Sequence, residues 1–366
     1  MAEPAAASFE AYARVAIANP DAIMKELCEH FVEHGDVTVT GRIGRVESNF
    51  GTAIVEAQDD CLKLYAKGPD ETLLAYVKYG LTEHVLEYAG DQKVDIVWEG
   101  DHVTGRPLPY FREMQVVSVR DITPQLRRMV LRGEDLKRFT YLGVHVRLLI
   151  PPVGVVRRDW PVMGDDGRPL WPDTADRPAS RVYTIRNIDA ARGEVEIDFV
   201  LHEGNGMPGA RFGAEAKPGD YVGMIGPIGG DLVEADWYLF AGDETALPAI
   251  ARLLQELPAT ARAVVRIEVD GPADEQALVS AAQLDVAWLH RNGAPAGTTN
   301  LLETAVRAVG LPDNGEKIYL WVGCEFASFR AIRAYARKER KLHRDQHLVM
   351  TYWRRGFEGD DAHAED

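Results

Sequence analysis

Near Trp237 the chain changes its hydrophobic period, and that change restricts its fold more than any other feature. Upstream, strand-like runs at 112–119, 127–132, 145–150, 181–186, 194–201 and 220–225 follow one another with almost no helical pattern, split by Gly/Pro-rich loops. Such a series predicts a six-stranded antiparallel barrel over 110–232. Downstream, strands at 237–241, 263–269, 286–290, 317–322 and 347–353 alternate with helices at 245–257, 273–281, 299–309 and 325–342. That alternation predicts an α/β domain over 236–356, a parallel sheet covered on both faces. Leu247, Ile250, Leu253, Leu254 and Leu257 give its first helix the apolar stripe such a layer needs. Ligands of open parallel sheets bind at the carboxyl ends of the strands, here Gly242-Asp243, Gly323-Cys324 and Arg354-Arg355-Gly356.

Before the barrel, residues 1–101 read as a small α+β domain. A helix is expected at 20–35, with Asn19 as N-cap, Pro20 at the first position and Ile23, Leu27 and Phe31 at helical spacing. Strands follow at 37–40, 52–55 and 61–65, then a helix at 70–89 and a last strand at 94–98. The Gly/Pro-rich stretch 100–109 marks the boundary. Within the barrel region, the long loop 151–179 reads as a surface excursion with room for local disorder, placed where it could border a ligand. Residues 357–366 form an acidic tail.

The chain's 366 residues make two to three domains at about 150 each. A formal net charge of −16 disfavours nucleic acid and anionic membranes as partners. No run reaches the roughly 18 apolar residues of a membrane helix, and the first residues lack a leader's basic and apolar regions. We expect a soluble, cytoplasmic protein, with Cys28, Cys61 and Cys324 as reduced thiols and a monomeric state.

Gly204-Asn-Gly-Met-Pro-Gly209 matches a dinucleotide fingerprint, but it leads back into barrel strands instead of opening a parallel unit. What survives is a helix start at Pro208, where Gly206, Gly209 and Ala210 leave N–H groups open to a phosphate. A tight glycine turn explains the spacing equally well. His30/His34 and His343/His347 have metal-ligand spacing without a clear third or fourth ligand, so solvated or core histidines are expected and no metal. No Ser/His/Asp or Cys/His grouping supports hydrolysis, and Cys324 reads as a small buried side chain.

Five motifs then stand in one order: Arg181-x-Tyr-Thr-x-Arg186; the strand Asp198-Phe-Val-Leu-His202 leading to Gly206-Met-Pro-Gly-Ala210; Gly226-Pro-Ile-Gly229; Gly242-Asp-Glu-Thr-Ala-Leu-Pro248; and Tyr352-Trp-Arg-Arg-Gly356. Together they resemble the siderophore-interacting protein family, ferric-siderophore reductases of the ferredoxin-reductase-like flavoproteins, over residues 111–356. Residues 1–101 resemble a small domain of unknown role sometimes fused to that family. The resemblance implies FAD in the barrel, held by Arg181, Tyr183, Thr184, Asp198, Val200, His202, Gly206, Pro208, Gly209 and Ala210. Within that set Tyr183 offers a ring to the isoalloxazine, Thr184 a hydroxyl to its N5 region, and Arg181 a fork to the pyrophosphate.

The resemblance also implies NADH or NADPH at the parallel half, near Asp243, Glu244, Thr245, Ala246 and Glu325. Asp270, at the end of the second parallel strand, would repel a 2′-phosphate and leans toward NADH. An anionic ferric siderophore is the implied substrate, drawn by Arg147, Arg354 and Arg355 together with Arg157 and Arg158. Two positions depart from the family pattern: Gly323-Cys-Glu-Phe-Ala327 replaces the usual Ala-Gly-Glu-Ala-Ser, and Phe212 stands where Trp is usual. A general flavin reductase and a non-catalytic flavin or siderophore carrier are the rival readings.

Overall fold

The computed structural model describes residues 8–32, 34–155, 159–172, 175–201, 207–313 and 315–357. The chain divides into two compact units, one of 1–111 with 157–177, the other of 112–156 with 178–366. No helix among the described residues is long and apolar enough to cross a membrane.

The first unit runs β1 (Phe9–Ala16), α1 (Pro20–Phe31), β2 (Asp36–Thr40), β3 (Ile43–Ser48), β4 (Gly51–Ala57), β5 (Cys61–Gly68), α2 (Glu71–Ala89) and β6 (Glu99–Gly100). Its six-stranded sheet has the order β2-β3-β4-β5-β1-β6. Both helices pack into its core, with Leu27, Leu74, Leu81 and Val85 among the buried residues. β1 escapes the sequence reading because its inward positions are Ala11, Ala13 and Val15, and alanine carries little strand signal. The strand expected at 94–98 is not one. Ile96 and Trp98 alternate inward and imitate the period, but pairing with β1 begins only at Glu99. Asn19 does occupy the N-cap of α1, in a left-handed conformation and without a side-chain cap bond.

In the second unit β7 (Phe111–Thr123), β8 (Leu126–Arg132) and β9 (His145–Ile150) precede the 151–179 excursion. Within that excursion, residues 159–172 hold a short hairpin, β10 (Val162–Met163) with β11 (Pro169–Leu170), and belong to the first unit. The main-chain carbonyl of Asp166 accepts from Thr82 Oγ1 at 2.7 Å and from Trp98 Nε1 at 3.0 Å. The Met163 carbonyl accepts from Gly105 N at 2.8 Å. Among the described residues of the loop, these backbone groups find their partners in the first unit.

The barrel closes with β12 (Ala179–Asp189), β13 (Glu194–Val200), the helix α3 (Pro208–Glu215) and β14 (Tyr221–Ile225), in the strand order β12-β13-β8-β7-β14-β9. The parallel half comprises β15 (Trp237–Asp243), α4 (Leu247–Glu256), β16 (Arg262–Val269), β17 (Gln283–His290), α5 (Leu301–Ala308), β18 (Ile318–Glu325), α6 (Phe326–Ala334) and β19 (His347–Trp353). Its strand order is β17-β16-β15-β18-β19, and every residue of β15 is buried, as a strand covered on both faces requires.

Two helices depart from expectation. Residues 273–281 form only a short turn at Pro272–Asp274, because Ser280 Oγ donates to Leu254 O and accepts from Ala282 N, competing with the helical ladder. The helix expected to 342 ends at Ala334 and widens into an i→i+5 turn, with Arg340 N bonding Tyr335 O at 2.9 Å.

Candidate functional site

The second unit encloses a cavity of about 610 Å³ between barrel and sheet, within the size range of small-molecule sites. β9 contributes His145 and Arg147; β12 contributes Arg181, Tyr183 and Thr184; β13 contributes Asp198 and Val200; the start of α3 contributes Gly209 and Ala210. The opposite wall is Thr245 and Pro248 at the head of α4, with Met350, Thr351 and Tyr352 on β19. Strand alternation puts Arg181 and Tyr183 on one face of β12, so a cation and a ring share one wall.

Tyr183 lies over the buried Phe199, ring centroids 4.5 Å apart, and Phe199 meets Phe212 at 5.9 Å. This stack fixes the ring's tilt while leaving it half-buried at the cavity edge. α3 starts with Pro208 in its first turn. A Cβ on Gly209 would stand 2.6 Å from the Tyr183 hydroxyl, so any larger residue there would displace the ring. The first-turn amides of Gly209 and Ala210 have no acceptor within the helix and point out of its positive end.

On the far side, His145 Nε2 and the Tyr352 hydroxyl are 2.5 Å apart, and that hydroxyl also bonds Thr184. Burial drives the His145 imidazole down to about 4, so it is neutral at pH 7. Burial also raises the Tyr352 and Tyr183 phenols, which stay protonated. Asp198 is held by Arg128 through a bidentate pair at 2.6 and 2.8 Å. The wall that remains is two arginines and neutral hydrogen-bonding groups, a setting for an anionic ligand.

Matches to family models cover most of the chain. Residues 115–231 match the siderophore-interacting FAD-binding domain and residues 235–356 the siderophore-interacting protein model; residues 12–99 match a family of uncharacterized proteins conserved in bacteria. ViuB, a ferric vibriobactin reductase from Vibrio cholerae, is 33% identical over 260 residues, 70% of this chain and 94% of its own. The chain belongs to the siderophore-interacting protein family. Another relative is a ferric acinetobactin reductase from Acinetobacter baumannii, 27% identical over 74% of this chain and 87% of its own. Among solved structures, a siderophore utilization protein from T. fusca superposes with a TM-score of 0.62 at 40% identity, covering 69% of this chain and 96% of that one.

Within this siderophore-interacting protein, Arg147, Arg181, Tyr183, Thr184, Asp198, Val200, Gly209, Ala210 and Thr245 line the cavity, and Pro208 opens the adjoining helix. His202, Gly206, Arg157 and Arg158 lie outside the described residues, as do 358–366 of the acidic tail.

The other expected contact residues have partners within the fold or are buried in it. Glu244 pairs with Arg291 at 2.7 and 2.8 Å, both buried. Asp243 accepts from Thr245 N, Glu325 N and Trp353 Nε1, while burial and the Glu244 charge push it up to about 6. Glu325 caps α6 through Ala327 N, and Ala246 is fully buried. Arg354 stacks over Phe326 and Phe357 at 4.3 and 4.0 Å, and the Arg355 amide bonds Glu325. None of these six lines the cavity among the described residues. Asp270 is engaged by Gly293 N at 3.0 Å. Cys324 is buried, which raises its thiol above the ordinary range.

His145, Met350 and Thr351 are site residues that sequence reasoning missed, and Pro248 and Tyr352 were seen only as parts of motifs. His145 and Tyr352 are 207 residues apart and meet only when barrel and sheet pack together.

Proposed function

We propose that this protein holds FAD in the barrel–sheet cavity and uses NADH or NADPH to reduce Fe(III) in a ferric siderophore, releasing Fe(II). The observation that carries the reading is the cluster of Arg181, Tyr183 and the Gly209 helix start on one cavity wall, inside the stretch that matches the FAD-binding domain. Cavity size, the open first-turn amides beside Tyr183 and the cationic donor set all suit a flavin dinucleotide. Arg181 and the amides of Gly209 and Ala210 would hold the pyrophosphate, and Tyr183 would lie against the ring system. When bound, FAD supplies the exchange between a two-electron donor and a one-electron acceptor.

The chain's own groups do the positioning. Thr184, Tyr352 and His145 form a chain of neutral groups that orients hydroxyls without supplying charge. Thr245 and Pro248 at the head of α4 would border the pyridine nucleotide. Arg147 supplies the charge that would draw an anionic chelate. Reduction acts as the release step because hard oxygen donors hold Fe(III) far better than Fe(II).

Gel filtration of Arg181→Ala and Tyr183→Ala tests the site. We expect each variant to lose about 2 to 4 kcal/mol of FAD affinity, read as visible absorbance lost from the protein peak. Full retention in both rejects it.

A further inference from the structure

The first unit holds a second, separate constellation. His30 lies in the last turn of α1, and His34 in the turn that ends that helix, its amide bonded to Phe31 O at 2.9 Å. α2 brings His84 to the same place: the rings of His30 and His84 are 4.2 Å apart, and those of His30 and His34 are 4.9 Å apart. The Nε2 atoms of His30 and His34 are separated by 3.1 Å, and one nitrogen from each of the three histidines falls within 4.8 Å of the others. A tetrahedral ion with metal–nitrogen bonds of about 2.0 to 2.1 Å needs nitrogens about 3.3 Å apart.

A hydrogen-bonded histidine pair would explain His30 and His34 alone. It does not explain the third imidazole, or the way that imidazole is held. Glu87 Oε2 is 3.0 Å from His84 Nδ1, the carboxylate–histidine arrangement that fixes the tautomer and leaves Nε2 as the ligating atom. Phe31 meets His84 edge-on at 5.2 Å and Tyr88 stacks beside it at 6.4 Å, an apolar flank that limits water around the ring.

We propose that His30, His34 and His84 bind a divalent first-row transition-metal ion, with Glu87 as the orienting carboxylate and a fourth position left for water or an exogenous ligand. Imidazole donors select ions of the Zn2+, Cu2+, Ni2+ and Fe2+ group over Mg2+ or Ca2+. The inference rests on the first unit alone, so it stands or falls separately from the flavin reading.

Zn2+ titration by calorimetry, on full-length, tag-free, FAD-loaded protein, is the test. We expect one strongly bound equivalent in the wild type, affinity about 10- to 100-fold weaker in Glu87→Gln, and a larger loss in His84→Ala and His34→Ala, which remove a ligand. Co2+ in place of Zn2+ is expected to give visible ligand-field bands that disappear in His84→Ala. Should circular dichroism show His84→Ala unfolded, the exposed His34→Ala carries the comparison. No strong equivalent in the wild type, or the same affinity in the histidine variants, overturns the proposal.

Discussion

His145 shows how one buried side chain sets the chemistry a cavity can host. Its imidazole is packed under the barrel rim against Tyr352 and the Gly229 backbone, and burial outweighs the backbone bond that would favour its charged form. Its folded value of about 4 lies below the ordinary 6.5, so the unfolded chain takes up the proton first as pH falls. Stability from this group is therefore intact above pH 6.5 and declines toward pH 4, by about 3 kcal/mol in all. We expect melting temperature to fall less between pH 6.5 and 4.5 in His145→Gln than in the wild type; parallel curves would contradict the neutral imidazole. Arg181 and Tyr183 were legible in sequence because they share one strand motif. His145 was not, since nothing local marks a histidine whose partner arrives from the other domain.

At the scale of elements, α4 ties the parallel half to the barrel beside the cavity. Its buried Arg252 reaches out of the apolar stripe and donates to Ile185 O at 3.0 Å and Phe139 O at 3.3 Å, pinning the helix to β12. Thr245 and Pro248 at the helix head thereby face Tyr183 and Thr184 on that strand. We expect Arg252→Met to cost about 1 to 3 kcal/mol in urea unfolding, because two buried carbonyls lose their donor, and to weaken FAD retention although Arg252 does not line the cavity. Unchanged stability would remove the pin.

The stripe of Leu247 to Leu257 announced α4, and alternation announced the barrel strands, because both patterns are local. The missing helix at 273–281 was illegible, since Ser280 bonds to Leu254, a residue far back in the chain. β1 was hidden by alanines, which pack well in a core without marking a strand.

For the whole molecule, domain membership does not follow chain order. The middle of the barrel's excursion, residues 159–172, belongs to the first unit, where Trp98 holds Asp166 O and Thr82 Oγ1 together through its indole N–H. Composition marked the excursion as a loop but could not name its partner, because Trp98 lies in what read as a strand of another domain. We expect Trp98→Ala to destabilise the first unit by about 3 to 5 kcal/mol and to speed hydrogen exchange at 163–168, with barrel amides unchanged. Equal acceleration across the barrel would contradict two separately cooperative units. The functional reading of the second unit is tested most directly by anaerobic stopped-flow on the FAD-loaded protein. We expect NADH or NADPH to bleach the flavin band, and a ferric siderophore to restore it while a chromogenic Fe(II) chelator develops colour. A flavin that neither nucleotide bleaches, or one that stays bleached when the ferric siderophore is added, would contradict it.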